Sequence, residues 1–220
     1  MSEPWPPPAH PGYDLSKRAI DLLISSLVLV IGAPVWAALA ALIRATSPGP
    51  ALHKGQVAGH NGRIFTYYKF RSMRPGDDSH HREWLRAFVM ADSPYATGAG
   101  GTAVYKVVDD PRITRVGHWI RRFSIDEVPQ LINVLRGEMS IVGPRPPLVA
   151  EVEHYDERSY QRLAVLPGIT GLYQVTARSQ VPFSEMLAID CDYIRRRSLA
   201  LDLWIMARTV GVMLGGRGAR

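Results

Sequence analysis

The sequence predicts an α+β chain, mostly helical, in which a re-entrant membrane helix precedes one compact cytosolic domain carrying amphipathic surface helices. Three observations lead there. Residues 19–43 form an apolar run of about 25 residues whose only charge is Asp21, and Gly32-Ala33-Pro34 interrupts it midway. From Pro50 onward the chain reads as one domain without internal repeats, with a strand-like aromatic run followed by several helical patterns. Lys plus Arg number 26 against 20 Asp plus Glu, a net charge of +6, which suits an anionic partner: nucleic acid, a phosphorylated small molecule or an anionic lipid surface. A length of 220 residues fits one domain with an appendage, and a hydrophobic share of 46% excludes a wholly disordered chain. The lone cysteine, Cys191, excludes a disulfide-stapled scaffold and suits a reducing compartment, where a small buried thiol is its expected role.

Residues 1–16 are expected to be a mobile tail, because prolines recur through residues 4–11 and bar both helix and central strand. Residues 17–46 make the membrane segment. At about 1.5 Å per residue, a straight helix of this length would cover the roughly 30 Å hydrocarbon core. The run is too long for a signal-peptide apolar region and has no small-residue cleavage site. Pro34 removes one backbone hydrogen bond and clashes with the preceding turn, so a kink or break is expected there. Lys17 and Arg18 precede the run and Arg44, Lys54 and Arg63 follow it, so positive charge singles out neither end as the cytosolic one. A helix-break-helix that enters and leaves by one face satisfies both facts, provided the backbone at the break finds partners. Residues 47–220 then form the cytosolic domain.

Within that domain residues 65–70 (FTYYKF) read as a strand and residues 81–90 as a helix. The glycine-rich residues 98–101 lack the Gly-Lys-Ser/Thr ending of a nucleotide loop and read as flexible. His80 and His81 have no Cys or Glu at ligand spacing, so no zinc site is expected. Asp109-Asp110-Pro111 signals a turn, and residues 113–123 form an amphipathic basic segment with Arg115, Arg121 and Arg122, just after Arg112. Residues 148–163 read as an acidic helix, 167–171 as a turn, and 185–197 and 201–214 as two more helices. The last is apolar on more than one face. Two roles fit it: a membrane-surface helix with Trp204 and Arg208 at the interface, or a core helix of the domain.

The densest chemical signal is residues 121–130, RRFSIDEVPQ, followed sixteen residues after Asp126 by Val142-Gly143-Pro144-Arg145-Pro146. Pro129 cannot sit deep in a helix, so the helix carrying Leu131, Ile132, Val134 and Leu135 starts close by, with Asp126 and Glu127 in or just before its first turn. Carboxylates there are favoured in the charged form by the free backbone N–H groups and the helix dipole. An ionised aspartate is a usable nucleophile or magnesium ligand. Ser124 and Glu127 equally fit a capping box, S-x-x-E, with no function beyond it. Adjacent helical residues point about 100° apart, so the two carboxylates cannot play identical roles. Arg145 is restricted on both sides by prolines, and a preset guanidinium suits bidentate phosphate recognition. With Lys69, Arg71, Arg121 and Arg122 the chain has cations enough to neutralise a pyrophosphate.

These residues carry a resemblance. Lys17-Arg18-x-x-Asp21, the broken apolar run, SPGP at 47–50, YKFRSM at 68–73, DPRITRVG at 110–117, RRFSIDEVPQLINVLRGEMSIVGPRP at 121–146 and PGITGLYQV at 167–175 closely resemble the bacterial sugar transferase family. These are the monotopic phosphoglycosyl transferases, which move a sugar phosphate from a nucleotide diphosphate sugar onto polyprenyl phosphate. The resemblance runs from about Lys17 to Leu214. It implies that Asp126 attacks the sugar-bearing phosphorus, expels uridine monophosphate and forms a covalent phosphosugar intermediate, which polyprenyl phosphate then attacks in a ping-pong sequence. Mg²⁺ is the implied cofactor, with Asp126 as its ligand and Glu127 assisting the metal or the incoming lipid phosphate. Arg145 is the implied ligand of a substrate phosphate, with Lys69, Arg121 and Arg71 as further candidates. Lys17 and Arg18 are implied to lie near lipid head groups or the polyprenyl phosphate, and Pro34 to set the re-entrant break.

The implied partners are a UDP-sugar, polyprenyl (undecaprenyl) phosphate and membrane lipid, without nucleic acid, and a homodimer is compatible with a flat membrane-bound domain. The implied location is the cytoplasmic face of the bacterial inner membrane, at the first membrane step of glycoconjugate or exopolysaccharide assembly. The expected form is the minimal catalytic one, because no block of membrane spans precedes Lys17. Two departures stand out. Ser-Pro is frequent at the family's membrane break where this chain has Ala33-Pro34, and residues 75–108 run longer than in the shortest members. The alternative class is a catalytically silent membrane scaffold that recruits glycan-assembly enzymes.

Overall fold

A computed structural model describes residues 5–6, 11–74, 76, 111–177 and 181–215. The helix expected at 81–90, the glycine-rich residues 98–101 and His80-His81 lie outside them. The described chain is mostly helical with two small sheets, as expected for an α+β fold.

Helices α1 (Tyr13–Ile31) and α2 (Ala33–Thr46) meet at Gly32 and are bent by 63°. Pro34 falls in the first turn of α2, where a missing N–H costs the helix nothing. The bend is capped by a side chain the sequence reading did not consider: the Trp36 indole N–H donates to the Val28 carbonyl at 3.0 Å. The Gly32 backbone N–H donates to the same oxygen at 3.1 Å. Ser25, about two turns before the bend, is buried and its hydroxyl does not cap it. Glycine at 32 is required for space, since a Cβ there would lie 2.2 Å from Trp36 Nε1 and 2.6 Å from the Val28 carbonyl. Gly32→Ala is therefore expected to break the indole cap and to cost about 1–3 kcal/mol as an overpacking change. A fall in the thermal midpoint of the detergent-solubilised protein checks this, and an unchanged midpoint would refute it.

Among the described residues no single helix is long and apolar enough to cross a membrane, whereas this bent pair passes that test together. Leu15, Leu23, Leu27, Val30, Ile31 and Val35 are exposed on it. Three of its charged side chains are tied to the domain. The Arg18 guanidinium donates to the carbonyls of Val134 (2.6 Å) and Leu135 (2.9 Å). The Asp21 carboxylate accepts from the Ile141 N–H at 2.9 Å, and Lys17 pairs with the buried Asp202 at 2.7 Å. Lys17 and Arg18 thus pin α1 to the domain. The reason is local: carbonyls at a helix end lack intrahelical partners, and a buried carboxylate needs a cation.

Strands β1 (Leu52–Ala58) and β2 (Ile64–Phe70) pair antiparallel, with Leu52 opposite Phe70, around a 3₁₀ turn at His60–Gly62. After β2, Met73 bridges to Ile113, and Thr114 N–H donates to the Ser72 carbonyl at 3.0 Å. Helix α3 (Arg115–Arg122) follows, capped by Thr114, with Ile120 buried and Trp119 exposed. A 3₁₀ turn, Ile125–Gln130, leads into α4 (Leu131–Arg136), which ends at Gly137 with φ 78°. The second sheet is a parallel pair, β3 (Ser140–Val142) with β4 (Gly168–Thr170). The two backbones approach so closely that a Cβ at Gly168 would meet the Gly143 nitrogen at 2.1 Å.

Between those strands the expected acidic helix at 148–163 is instead two short pieces, α5 (Val149–Val152) and a 3₁₀ turn at Ser159–Ala164. The break has a cause in Asp156, whose carboxylate accepts from the Ser159 N–H (2.8 Å) and hydroxyl (2.5 Å) and so starts a new turn. Helices α6 (Leu172–Thr176), α7 (Phe183–Arg196) and α8 (Leu199–Leu214) complete the domain. Helix α8 contributes to the core through Asp202 and Ile205, which are buried, while Leu203, Trp204, Val210 and Leu214 are exposed. Trp5, inside the expected free tail, docks: its indole donates to the Gln161 carbonyl at 3.1 Å and its ring lies 5.3 Å from the Arg195 guanidinium.

Candidate active site

The site begins with a strained residue. Ser124 has φ 54° and ψ 23°, a left-handed conformation that a side chain with Cβ adopts at a cost. The expected capping box is not formed: the Ser124 side chain makes no cap bond, and the Glu127 N–H is taken by the Ser124 carbonyl at 3.2 Å. Pro129 keeps the segment a 3₁₀ turn until α4 begins at Leu131. Asp126 and Glu127 stand in the first turn of the Ile125–Gln130 segment.

Support for the turn comes from three sides. Ile125 and Val128 pack with Leu39 and Ile43 of α2, Phe70 of β2 and Ile120 of α3. The end of the bent helix pair therefore touches the element that holds the carboxylates. Glu127, free of the capping role, is bonded by Lys69 of β2 at 2.8 Å, each side chain being 28% exposed. Burial pushes the Lys69 ammonium toward losing its proton, but the charges of Glu127 and then Asp126 outweigh it and hold its pKa above the ordinary lysine value. Both carboxylates thus act on one cation, and Lys69 stays charged throughout the neutral range. Lys69 also lies over the Tyr67 ring at 5.6 Å.

Arg121 sits in the last turn of α3 and donates to the Met73 sulfur at 3.3 Å. Arg71, another of the phosphate-ligand candidates, is engaged within the fold. Its guanidinium is buried and donates to the Ser47 carbonyl (2.7 Å), the Ser47 hydroxyl (2.8 Å) and the Pro48 carbonyl (2.8 Å). It latches the SPGP loop at the end of α2 to the end of β2.

Arg145 lies in the loop between β3 and α5, half-buried. Its charge acts on Tyr173 and Asp190, which adjoin a buried cluster of Arg162, Glu151 and Asp190. Sequence reading missed that cluster, because isolated charged letters in a polar stretch give no sign of burial. Among the described residues no three His, Cys, Asp or Glu side chains gather into a metal cage. A hard cation such as Mg²⁺ needs none: it takes one or two carboxylates and completes its shell with water and substrate phosphates. Asp126, beside a Glu127 engaged by Lys69, fits that pattern.

The family model described as bacterial sugar transferase matches residues 12–216. The chain belongs to the bacterial sugar transferase family. Among its relatives in that family, the exopolysaccharide production protein ExoY of Sinorhizobium fredii is 37% identical over 205 residues, 93% of this chain and 88% of that one. The galactosyl transferase CpsE of Streptococcus agalactiae is 41% identical over 207 residues, covering 94% of this chain but 44% of that one. The undecaprenyl-phosphate galactose phosphotransferase of Salmonella typhimurium is 38% identical over 92% of this chain and 41% of its own length. As a bacterial sugar transferase the chain is an enzyme of the phosphoglycosyl transferase class. It corresponds to nearly all of one relative and to less than half of the others.

Proposed function

We propose that this bacterial sugar transferase moves a sugar-1-phosphate from a UDP-sugar to polyprenyl phosphate, releasing UMP, with Asp126 as nucleophile. One observation carries the residue assignment: Lys69 binds Glu127 at 2.8 Å while the charges of both Glu127 and Asp126 bear on it. Relatives named for undecaprenyl-phosphate galactose phosphotransfer and for glucose-1-phosphate transfer supply the reaction class.

In the first half, an Asp126 oxygen attacks the phosphorus that bears the sugar. The new O–P bond forms as the bond from that phosphorus to the bridging oxygen breaks, and the electron pair leaves on UMP. In the second half, an oxygen of polyprenyl phosphate attacks the same phosphorus and Asp126 departs as a carboxylate. Lys69 keeps Glu127 in place and supplies positive charge beside the dyad, where charge-assisted contacts stabilise a transferring phosphoryl group. Mg²⁺, held by Asp126 and the substrate phosphates, would supply Lewis-acid stabilisation of the leaving phosphate. Arg145 and Arg121 are assigned to substrate phosphate.

The bent pair α1–α2 would lie re-entrant in the membrane, residues 47–220 forming a cytoplasmic domain whose α8 adds Leu203, Trp204, Val210 and Leu214 to the lipid face. That placement brings a lipid-linked acceptor to the surface on which the α2 end meets the Asp126 turn. The test is turnover: the purified protein with Mg²⁺, undecaprenyl phosphate and UDP-glucose or UDP-galactose should release UMP and yield a lipid-linked sugar phosphate. UMP release without a lipid product would refute the acceptor. Lys69→Met should lower turnover by about 10²-fold, by analogy with loss of one preorganised charged contact; a rate within threefold of wild type would remove Lys69 from the site.

A further inference from the structure

The loop that carries Arg145 has an unusual supply of hydrogen-bonding groups. Pro144, Pro146 and Pro147 have no N–H, so this segment can be held in place chiefly through its carbonyls. Three of them are taken by three different elements. The Pro144 carbonyl accepts from the Gly168 N–H at 2.8 Å, the Pro147 carbonyl from the Ala58 N–H at 2.9 Å, and the Arg145 carbonyl from the Arg162 guanidinium at 3.1 Å. Only the last is a side-chain contact, and so only the last can be removed by substitution without altering backbone.

Arg162 is itself fixed. Its side chain is 1% exposed and pairs with Asp190 at 2.6 Å and Glu151 at 3.2 Å, both 2% exposed. It also donates to the Tyr155 hydroxyl at 2.8 Å, which donates in turn to Glu151 at 2.6 Å. Two acidic side chains thus face one guanidinium inside the domain, and burial pushes the Asp190 carboxyl above the ordinary carboxylate range against the opposing pull of Arg162. The charge of Arg145 acts on the same Asp190 and on the buried Tyr173 phenol, so the cluster holds Arg145 by its carbonyl and attracts its side chain.

We infer that Arg162, held by Asp190 and Glu151, is a positioning residue that presets Arg145 for the diphosphate of the nucleotide sugar. This rests on the reading of Arg145 as a donor-phosphate ligand. A buried ionic cluster is weak evidence of stability, because desolvation offsets much of the attraction; a fixed geometry for one catalytic-site arginine is the use that its contacts describe. A planar fork bonded on both its terminal nitrogens also explains why arginine rather than lysine stands at 162.

The experiment is a double-mutant cycle read by calorimetric binding of UDP with Mg²⁺, since UDP carries the diphosphate common to every UDP-sugar. Asp190→Asn keeps the shape and one acceptor while removing a charge, and Glu151→Gln does the same on the other side; Arg162→Lys is the third variant. Each is expected to weaken UDP binding about tenfold, the scale of coupling between groups in one network. In an Arg145→Ala background the same changes should have no further effect. Losses that persist in that background, or unchanged UDP binding in folded Asp190→Asn and Glu151→Gln, overturn the inference and leave Arg145 where it is. Unchanged UDP binding in Arg145→Ala alone overturns the assignment of Arg145 to the donor, and the inference with it. A thermal midpoint measured for each variant separates lost folding from lost preorganisation, and a merely structural role would not make the loss depend on Arg145.

Discussion

Asp126→Asn mixed with Mg²⁺ and a UDP-sugar, without lipid acceptor, should show no mass change, whereas the wild type should gain the mass of one phosphosugar. The argument starts from what the substitution leaves intact. Asparagine has nearly the same volume and can stand in the first turn of the Ile125–Gln130 element, so Lys69, Glu127 and the packing of Ile125 and Val128 remain. What it loses is the anionic oxygen that would form the bond to phosphorus. An amide is a poor nucleophile and its adduct would not be displaced, so turnover should fall by about 10⁴-fold or more, as it does when a covalent nucleophile is removed elsewhere. Intact-protein mass spectrometry and UMP release read the two halves separately. Near-normal turnover in the variant would dismiss Asp126 as nucleophile. An adduct absent from the wild type, with UMP released only when polyprenyl phosphate is present, would replace the covalent route with direct transfer. Activity absent from the wild type and the variant alike would favour the silent-scaffold alternative.

The parts of this molecule that were legible in the sequence are those fixed by local chemistry. A run of 25 residues with Asp21 as its only charge, interrupted by Gly32-Ala33-Pro34, declares a bent helical segment, and the bend lies at Gly32 with Pro34 in the next turn. Pro129 declares that the carboxylates precede α4, which they do. Illegible were the partners that arrive from far along the chain. Nothing near Lys17 or Arg18 says that they will meet Asp202 and the end of α4, more than a hundred residues away. The resemblance that implied a place near lipid head groups or the polyprenyl phosphate for both carries no sign of these contacts. The contacts of Arg71 were illegible for the same reason: a cation beside a strand offers no local sign that Ser47 and Pro48 will surround it. The acidic stretch failed differently. Its charges are compatible with a helix, but Asp156 and Ser159 form a competing turn, and Glu151 is drawn inside by Arg162. Strand β1 escaped notice because Leu52, His53, Lys54 and Gln56 are a poor strand pattern, made a strand only by pairing with β2.

Stripping divalent metal with excess chelator should stop both UMP release and adduct formation, and adding Mg²⁺ back should restore them. The donor set leads to this result. A diphosphate bound beside Asp126 and Glu127 brings two groups of negative charge onto a turn that already holds two carboxylates. Lys69 stands against Glu127 and is within the influence of Asp126, so its single charge is shared before substrate arrives. Arg145 and Arg121 can offset part of the diphosphate, but an aspartate oxygen must still approach an anionic phosphorus. A divalent cation held by Asp126 and the substrate phosphates would supply several kcal/mol of charge stabilisation against that repulsion, so the loss should reach at least about 10³-fold. The protein-only cage that would trap such a metal in the resting enzyme is not assembled among the described residues. Removal should accordingly be fast, with the metal required in the assay buffer and its affinity higher when UDP is present than when it is absent. Activity that survives chelation would assign the charge balance to Lys69 and the arginines alone, and Lys69→Met would then have to cost far more than 10²-fold.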